Sequence, residues 1–152
     1  MLRELEQGLV ALLKSSALAD RLRQIDTLPD LDGDSLVGKF GAEAPAVYVA
    51  LGSGVVAARG LTEPTLGIAC LTRNSRGAQA ARHGDGQVIG LIDLVEAVMT
   101  LVDGAVVGEQ EYAVLRWDML SSEPMTRKGL YAAVVTVRTA AYLPTDYPGE
   151  AR

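Results

Sequence analysis

The chain has 152 residues, 49% hydrophobic and 22% charged, with a formal net charge of -5; that suits one domain with a real core and excludes a disordered or low-complexity chain. The acidic balance excludes a protein whose whole surface grips nucleic acid, because neutralising phosphates takes a basic face. A single cysteine, Cys70, excludes an intrachain disulfide and points to a chain of cytosolic origin, and no apolar run reaches membrane-spanning length.

The opening segment "MLRELEQGLVALLKSS" lacks the basic start, continuous apolar core and small-residue cleavage site of a secretory signal. It places Leu2, Leu5, Leu9, Leu12 and Leu13 at helical spacing, which predicts an amphipathic helix over residues 2–18. "DRLRQIDTLPDLDGDSL" is rich in turn formers and carboxylates, with a short strand expected around residues 23–25 and loop after it. "PAVYVAL" alternates Val47, Val49 and Leu51 with Ala46, Tyr48 and Ala50, so a strand begins just after Pro45. "GSGVVAARG" is expected to turn the chain, and "TLGIACLTR", Thr65 to Arg73, reads as a strand apolar on both faces.

A long connection, "RNSRGAQAARHGDGQ", follows. From Val88 onward Leu91, Leu94, Val95, Val98, Leu101 and Val102 return at helical spacing, with Gly104 as the stop. "EYAVLRWDML" and "GLYAAVVTVRTAAYL" are strand-like runs separated by "SSEPMTRKG", which suggests an antiparallel pair. The order predicts an α+β domain over residues 1–144. Its sheet is mostly antiparallel or mixed, with about four to five strands and two helices on one face. Residues 145–152 read as an exposed, mobile tail.

Catalytic chemistry finds little support. Nucleophilic catalysis would have to use the single histidine, His83, as its base. Cys70 lies inside the apolar run "GIACL", where a thiol is a small buried hydrophobe, and Ser75 lacks the strand-turn-helix GxSxG setting that exposes a nucleophile. His83 reads as a solvated loop residue. With one histidine and one cysteine, a zinc site would need carboxylates from distant positions. Asp30, Asp32 and Asp34 alternate like calcium ligands, but the glycine falls at the fourth position and Gly41 stands at the twelfth, so the segment is an acidic turn. "GDGQVIG", Gly84 to Gly90, invites comparison with a dinucleotide-binding turn. Its spacing is GxGxxxG, however, it lies far from the preceding strand, and Asp85 would repel a phosphate there. The plainer expectation is that Asp85 caps the following helix while the glycines let the chain turn. No catalytic, cofactor or metal-binding residue is therefore expected.

Arg73, Arg76 and Arg82 form a basic stretch with no acid before Asp85. Besides a solvated loop, this pattern suits a contact surface, since arginine forms bidentate pairs with carboxylates and long connections in compact domains often bind. In a head-to-tail assembly of copies the acidic residues Asp30, Asp32 and Asp34 are candidate partners for these arginines.

Taken in order, "LRELEQGLVALLK", "PAVYVAL", "GQVIGLIDLVEAVMTLVDG", "LRWDMLSSEP" and "LYAAVVTVRTAAYLP" resemble the tail terminator family of Mu-like phages and prophages, from about Leu2 to Pro144. The resemblance implies a non-enzymatic subunit without cofactor that assembles into a ring, a hexamer, on the end of a contractile tail tube. There it would stop polymerisation and offer the surface for head-tail joining. Implied partners are further copies, the tail tube protein, and the sheath and head completion proteins, with phage DNA passing through the pore and no membrane. Three other readings stand beside it: a head completion or connector protein of the neck, a small nucleotide-binding enzyme using Gly84 to Gly90, and a weak DNA contact by the three arginines in the pore.

Overall fold

The computed structural model describes residues 1–28, 41–120 and 123–143. The first helix, α1, spans Leu2–Lys14 and buries Leu5, Leu9, Val10 and Leu13. It stops earlier than its apolar periodicity suggests because two serines take its terminal carbonyls. The Ser15 hydroxyl donates to Leu12 O at 2.8 Å and the Ser16 hydroxyl to Leu13 O at 2.6 Å. Ser16 also accepts from Leu18 N and so opens a 3-10 turn at Ala17–Arg21.

Strand β1, Gln24–Thr27, pairs in parallel with β2, Ala46–Val56. β2 pairs antiparallel with β3, Leu61–Arg73. Here the expected turn at "GSGVVAARG" is corrected: residues 52–56 remain in β2, and the chain reverses only at Ala58–Gly60, where Arg59 and Gly60 take φ of 65° and 76°. Gly52 sits at a register shift between Leu51 and Ser53, a bulge in place of a turn. The glycine at 54 lets the strands approach closely, since a Cβ there would lie 3.1 Å from Pro64 Cα. Isolated glycines inside an apolar run mark such bulges and close approaches as readily as they mark turns.

The connection after β3 contains a short helix, α2, Ala78–His83, and leads to α3, Leu91–Val102. A two-stranded hairpin of β4, Val106–Val107, and β5, Gln110–Glu111, precedes β6, Ala113–Leu120. A helical turn, α4, Glu123–Arg127, buries Met125 and occupies the segment expected to be only a connection between strands. β7, Leu130–Arg138, pairs antiparallel with both β3 and β6, and β8, Ala141–Tyr142, adds to Leu61 and Thr62 of β3. The result is an α+β fold whose six-stranded mixed sheet runs β1-β2-β3-β7-β6, with β8 beside β3. The expected tail, residues 145–152, lies outside the described residues.

Both faces of the sheet centre are apolar, as the both-sided pattern of "TLGIACLTR" requires. On one face Val47, Val49, Leu66, Ile68 and Cys70 pack under Leu9 and Leu13 of α1 and Leu94 and Val98 of α3. On the other, Tyr48, Ala69, Leu71 and Ala132 gather around Met125 and Leu130. Each fully buried Leu, Ile or Val contributes about 1.5–3 kcal/mol relative to exposure. Two polar links tie α1 to the rest: the Tyr112 hydroxyl donates to Leu5 O at 3.2 Å, and Glu6 Oε2 accepts from Leu51 N at 2.7 Å, at the start of the bulge. No described helix is long and apolar enough to cross a membrane.

Candidate functional site

The basic connection begins where β3 ends. Asn74 is buried there: its backbone N–H donates to Gly129 O, its side-chain oxygen accepts from Arg76 N at 2.9 Å, and its Nδ2 donates to Asp85 Oδ2 at 3.1 Å. Asp85 Oδ1 accepts from the backbone N–H of Gln87 at 3.0 Å and of Val88 at 2.9 Å. The expected helix cap is therefore corrected. Asp85 caps the turn that precedes α3, and the helix starts at Leu91 after Gly90, with no side-chain cap. The amides of Val88 and Gln87, then the Asn74 amide and Arg76, hold the Asp85 carboxyl below its ordinary value.

This geometry also answers the dinucleotide comparison. The backbone donors that a phosphate would need at Gln87 and Val88 already bind the Asp85 carboxylate. Gly84 and Gly86 do turn the chain, with φ of 83° and 85°. Gly90 serves another purpose: its φ is -69°, and a Cβ on it would lie 2.5 Å from Gly84 N.

The three arginines go to different settings. Arg73 is exposed at the end of β3, opposite Leu130 of β7. Arg76 stands 3.8 Å from Asp85, its side chain 65% exposed. Arg82, on α2, lines an open, mainly apolar groove of about 230 Å³ between α3 and β6, whose walls are Ile92, Val95, Glu96 and Met99 and whose strand side is Trp117 and Met119. Asp30, Asp32 and Asp34 lie outside the described residues, so their expected pairing with the arginines is not visible here. His83 is exposed next to Arg82. Cys70 is fully buried, and burial pushes its thiol up to about 12, which suits a core residue and not a nucleophile. Among the described residues no three His, Cys, Asp or Glu side chains come together as metal ligands would.

The sequence reading missed the surface next to this groove. β6 is the last strand of the sheet, and Leu115, Trp117 and Met119 on it remain 48%, 52% and 42% exposed. In the sequence they alternate with Arg116 and Asp118, a pattern that ordinarily marks an inward apolar face. Here α3 covers that face only in part. A second exposed apolar pair, Val55 and Val56, stands at the far end of the β2–β3 hairpin, where Arg59 forms the tip. At the same end of the sheet Glu63, Glu109 and Glu111 line a polar hollow with Arg138. Among the described residues the arrangement offers an open strand edge, an apolar groove and separated patches of opposite charge.

Comparison with known proteins bears on what such a surface is for. Among solved structures the chain is similar to one described as "Virion of native gene transfer agent (GTA) particle", at 16% identity and a TM-score of 0.54, covering 91% of this chain and 95% of that one. That likeness concerns the fold. No curated protein matches. The family described as Bacteriophage Mu, Gp37 matches over residues 1–136, nearly the whole described fold, and the chain belongs to this family.

Proposed function

We propose that the chain is a structural subunit of a phage tail, a terminator that assembles head to tail into a hexameric ring, caps the contractile tail tube and offers the surface for head-tail joining. One observation carries the reading. A chain of a phage Mu family shares its fold, end to end, with a component of a multi-protein particle. The open edge and apolar groove suit a subunit completed by its neighbours. Its partners would be further copies, the tube protein, and the sheath and head completion proteins, with assembly in the host cytoplasm. The arginines of the connection would meet a neighbour, the tube or passing DNA.

The experiment is solution mass measurement together with electron microscopy of the purified protein mixed with tail tubes. Closed rings on tube ends are the expected result. Rings on the head portal that ignore tubes would assign the chain to the neck connector instead, and a protein that stays monomeric in the presence of tubes would refute the proposal.

A further inference from the structure

Among the described residues the central sheet ends in two open strand edges of unequal kind. At one end no strand among the described residues pairs with the outer side of β6, though Val114 N at its start donates to Asp103 Oδ1 at 3.0 Å. At the other, β1 covers β2 only from Ala46 to Val49; Leu28 N adds a bond to Val49 O, and the Glu6 carboxylate takes Leu51 N. Beyond that point no strand among the described residues pairs with the outer side of residues 52–56. The outer side of β1 is a poor docking edge, being four residues long with the exposed carboxylate of Asp26 upon it. Short, charged edges resist pairing, whereas long apolar ones invite it.

We propose that β6 of one copy adds antiparallel to residues 52–56 of the next, so that one continuous sheet runs through the ring. This rests on the ring-forming reading above and names the contact that builds it. Strand sense agrees. Through the antiparallel pairs β2·β3, β3·β7 and β7·β6, strand β6 runs opposite to β2, so setting it beside β2 of a neighbour continues the alternation. Face agrees as well. Val56 lies opposite Thr62, whose side of β3 is that of Leu66, Ile68 and Cys70, the helix-covered face; Trp117 and Met119 lie opposite Val135 and Ala133, on the same face. In the continued sheet Val56 therefore enters the neighbour's groove between α3 and β6.

On the other face Val55 and Glu63 stand opposite each other. The neighbour's β6 carries a balanced pair there, Arg116 with Asp118 at 3.2 Å, so strand sense and the apolar face carry the argument. Because the two edges are different surfaces at opposite ends of one sheet, the contact is heterologous, the kind that gives a ring where its rotation closes.

Oxidative cross-linking, with and without tail tubes, tests the proposal. Val56, Trp117 and Met119 are all exposed in the subunit and Cys70 is fully buried, so introduced thiols are the reactive ones. A Val56→Cys chain mixed with a Trp117→Cys or Met119→Cys chain should give at least about tenfold more covalent dimer than any of the three alone, since a disulfide needs Cα atoms within roughly 7 Å. A chain carrying both substitutions should give a ladder of oligomers.

Failure of Val56→Cys to link to either β6 position overturns the proposal. So does self-linking of the β6 variants alone, which would mean a two-fold β6–β6 contact. Capped tubes without these cross-links would overturn the edge pairing and leave the terminator reading intact. Cross-links with uncapped tubes would support the pairing and overturn the terminator.

Discussion

Gly90 provides a sharp test of how the connection is packed. Its φ of -69° suits any residue, so space and not backbone conformation is what requires glycine. A Cβ at this position would lie 2.5 Å from Gly84 N, 2.5 Å from His83 C and 2.7 Å from Arg82 O. Ordinary contacts are about 3.5–4.0 Å, and all three atoms are backbone, so relief requires the end of α2 to move away from α3. Overpacking of this kind costs about 1–3 kcal/mol, and the cost grows with the size of the side chain. For a domain of this size each kcal/mol lowers Tm by roughly 2–4 °C, so Gly90→Ala should lose roughly 2–12 °C and Gly90→Leu more.

Gly86 is the control, with φ of 85° and no atom within 4 Å of where a Cβ would stand. There the left-handed backbone sets the cost, about 1–2 kcal/mol, nearly the same for Ala as for Lys. Thermal and urea unfolding followed by circular dichroism would compare the four variants. Equal losses for Ala and Leu at position 90, or losses under about 0.5 kcal/mol, would refute the close-approach argument.

Three further outcomes follow from single contacts. Tyr112→Phe removes the bond to Leu5 O, but that carbonyl lies inside α1 and keeps its helical donor, so urea unfolding should show a loss of only about 0.5–1.5 kcal/mol; a loss above about 3 kcal/mol would mean that the hydroxyl does more. The Asp85 carboxyl has its folded pKa below the ordinary 3.8, so its contribution is complete above that value and fades as pH falls through the folded value. Asp85→Asn should therefore flatten the acid limb of the Tm–pH profile, and an unchanged limb would contradict the hydrogen-bond set. With its thiol pushed up to about 12, Cys70 should not react with an aromatic disulfide reagent at neutral pH until the protein unfolds, so stoichiometric labelling of folded protein would show that the core opens.

What is legible in the sequence follows from period and burial. α3 and the strands around Val47 and Ile68 are read correctly because their apolar spacing and their burial coincide. The end of α1 is misplaced because Leu18, buried in the 3-10 turn, continues the apolar series after the serines have already ended the helix. Gly52 and Gly54 suggest a turn because glycine serves turns and bulges alike, and only the pairing with Thr65 and Pro64 distinguishes them. The arginines are visible as a basic stretch, yet their separation among the end of β3, Asp85 and the groove depends on α2, a helix too short to leave a periodic signal. Trp117 and Met119 are hidden for the opposite reason: an alternating strand looks half-buried whether or not anything covers its apolar side.

The contrast between the two edges bears on when a ring would form. Leu115, Trp117 and Met119 are each about half exposed, so covering them recovers about half of the 1.5–3 kcal/mol that full burial of such a side chain contributes. Summed with Val55 and Val56, one interface gathers on the order of 4–8 kcal/mol of apolar burial. Backbone bonds across a short strand pair add about 0.5–1.5 kcal/mol each. Against this stands an association cost of about 4–15 kcal/mol for each subunit immobilised. A single edge contact is then marginal, whereas the subunit that closes a ring makes two contacts for one loss of freedom. On the proposed arrangement, subunits associate weakly in free solution and strongly where a tube end gathers them, so termination would follow tube assembly and not compete with it.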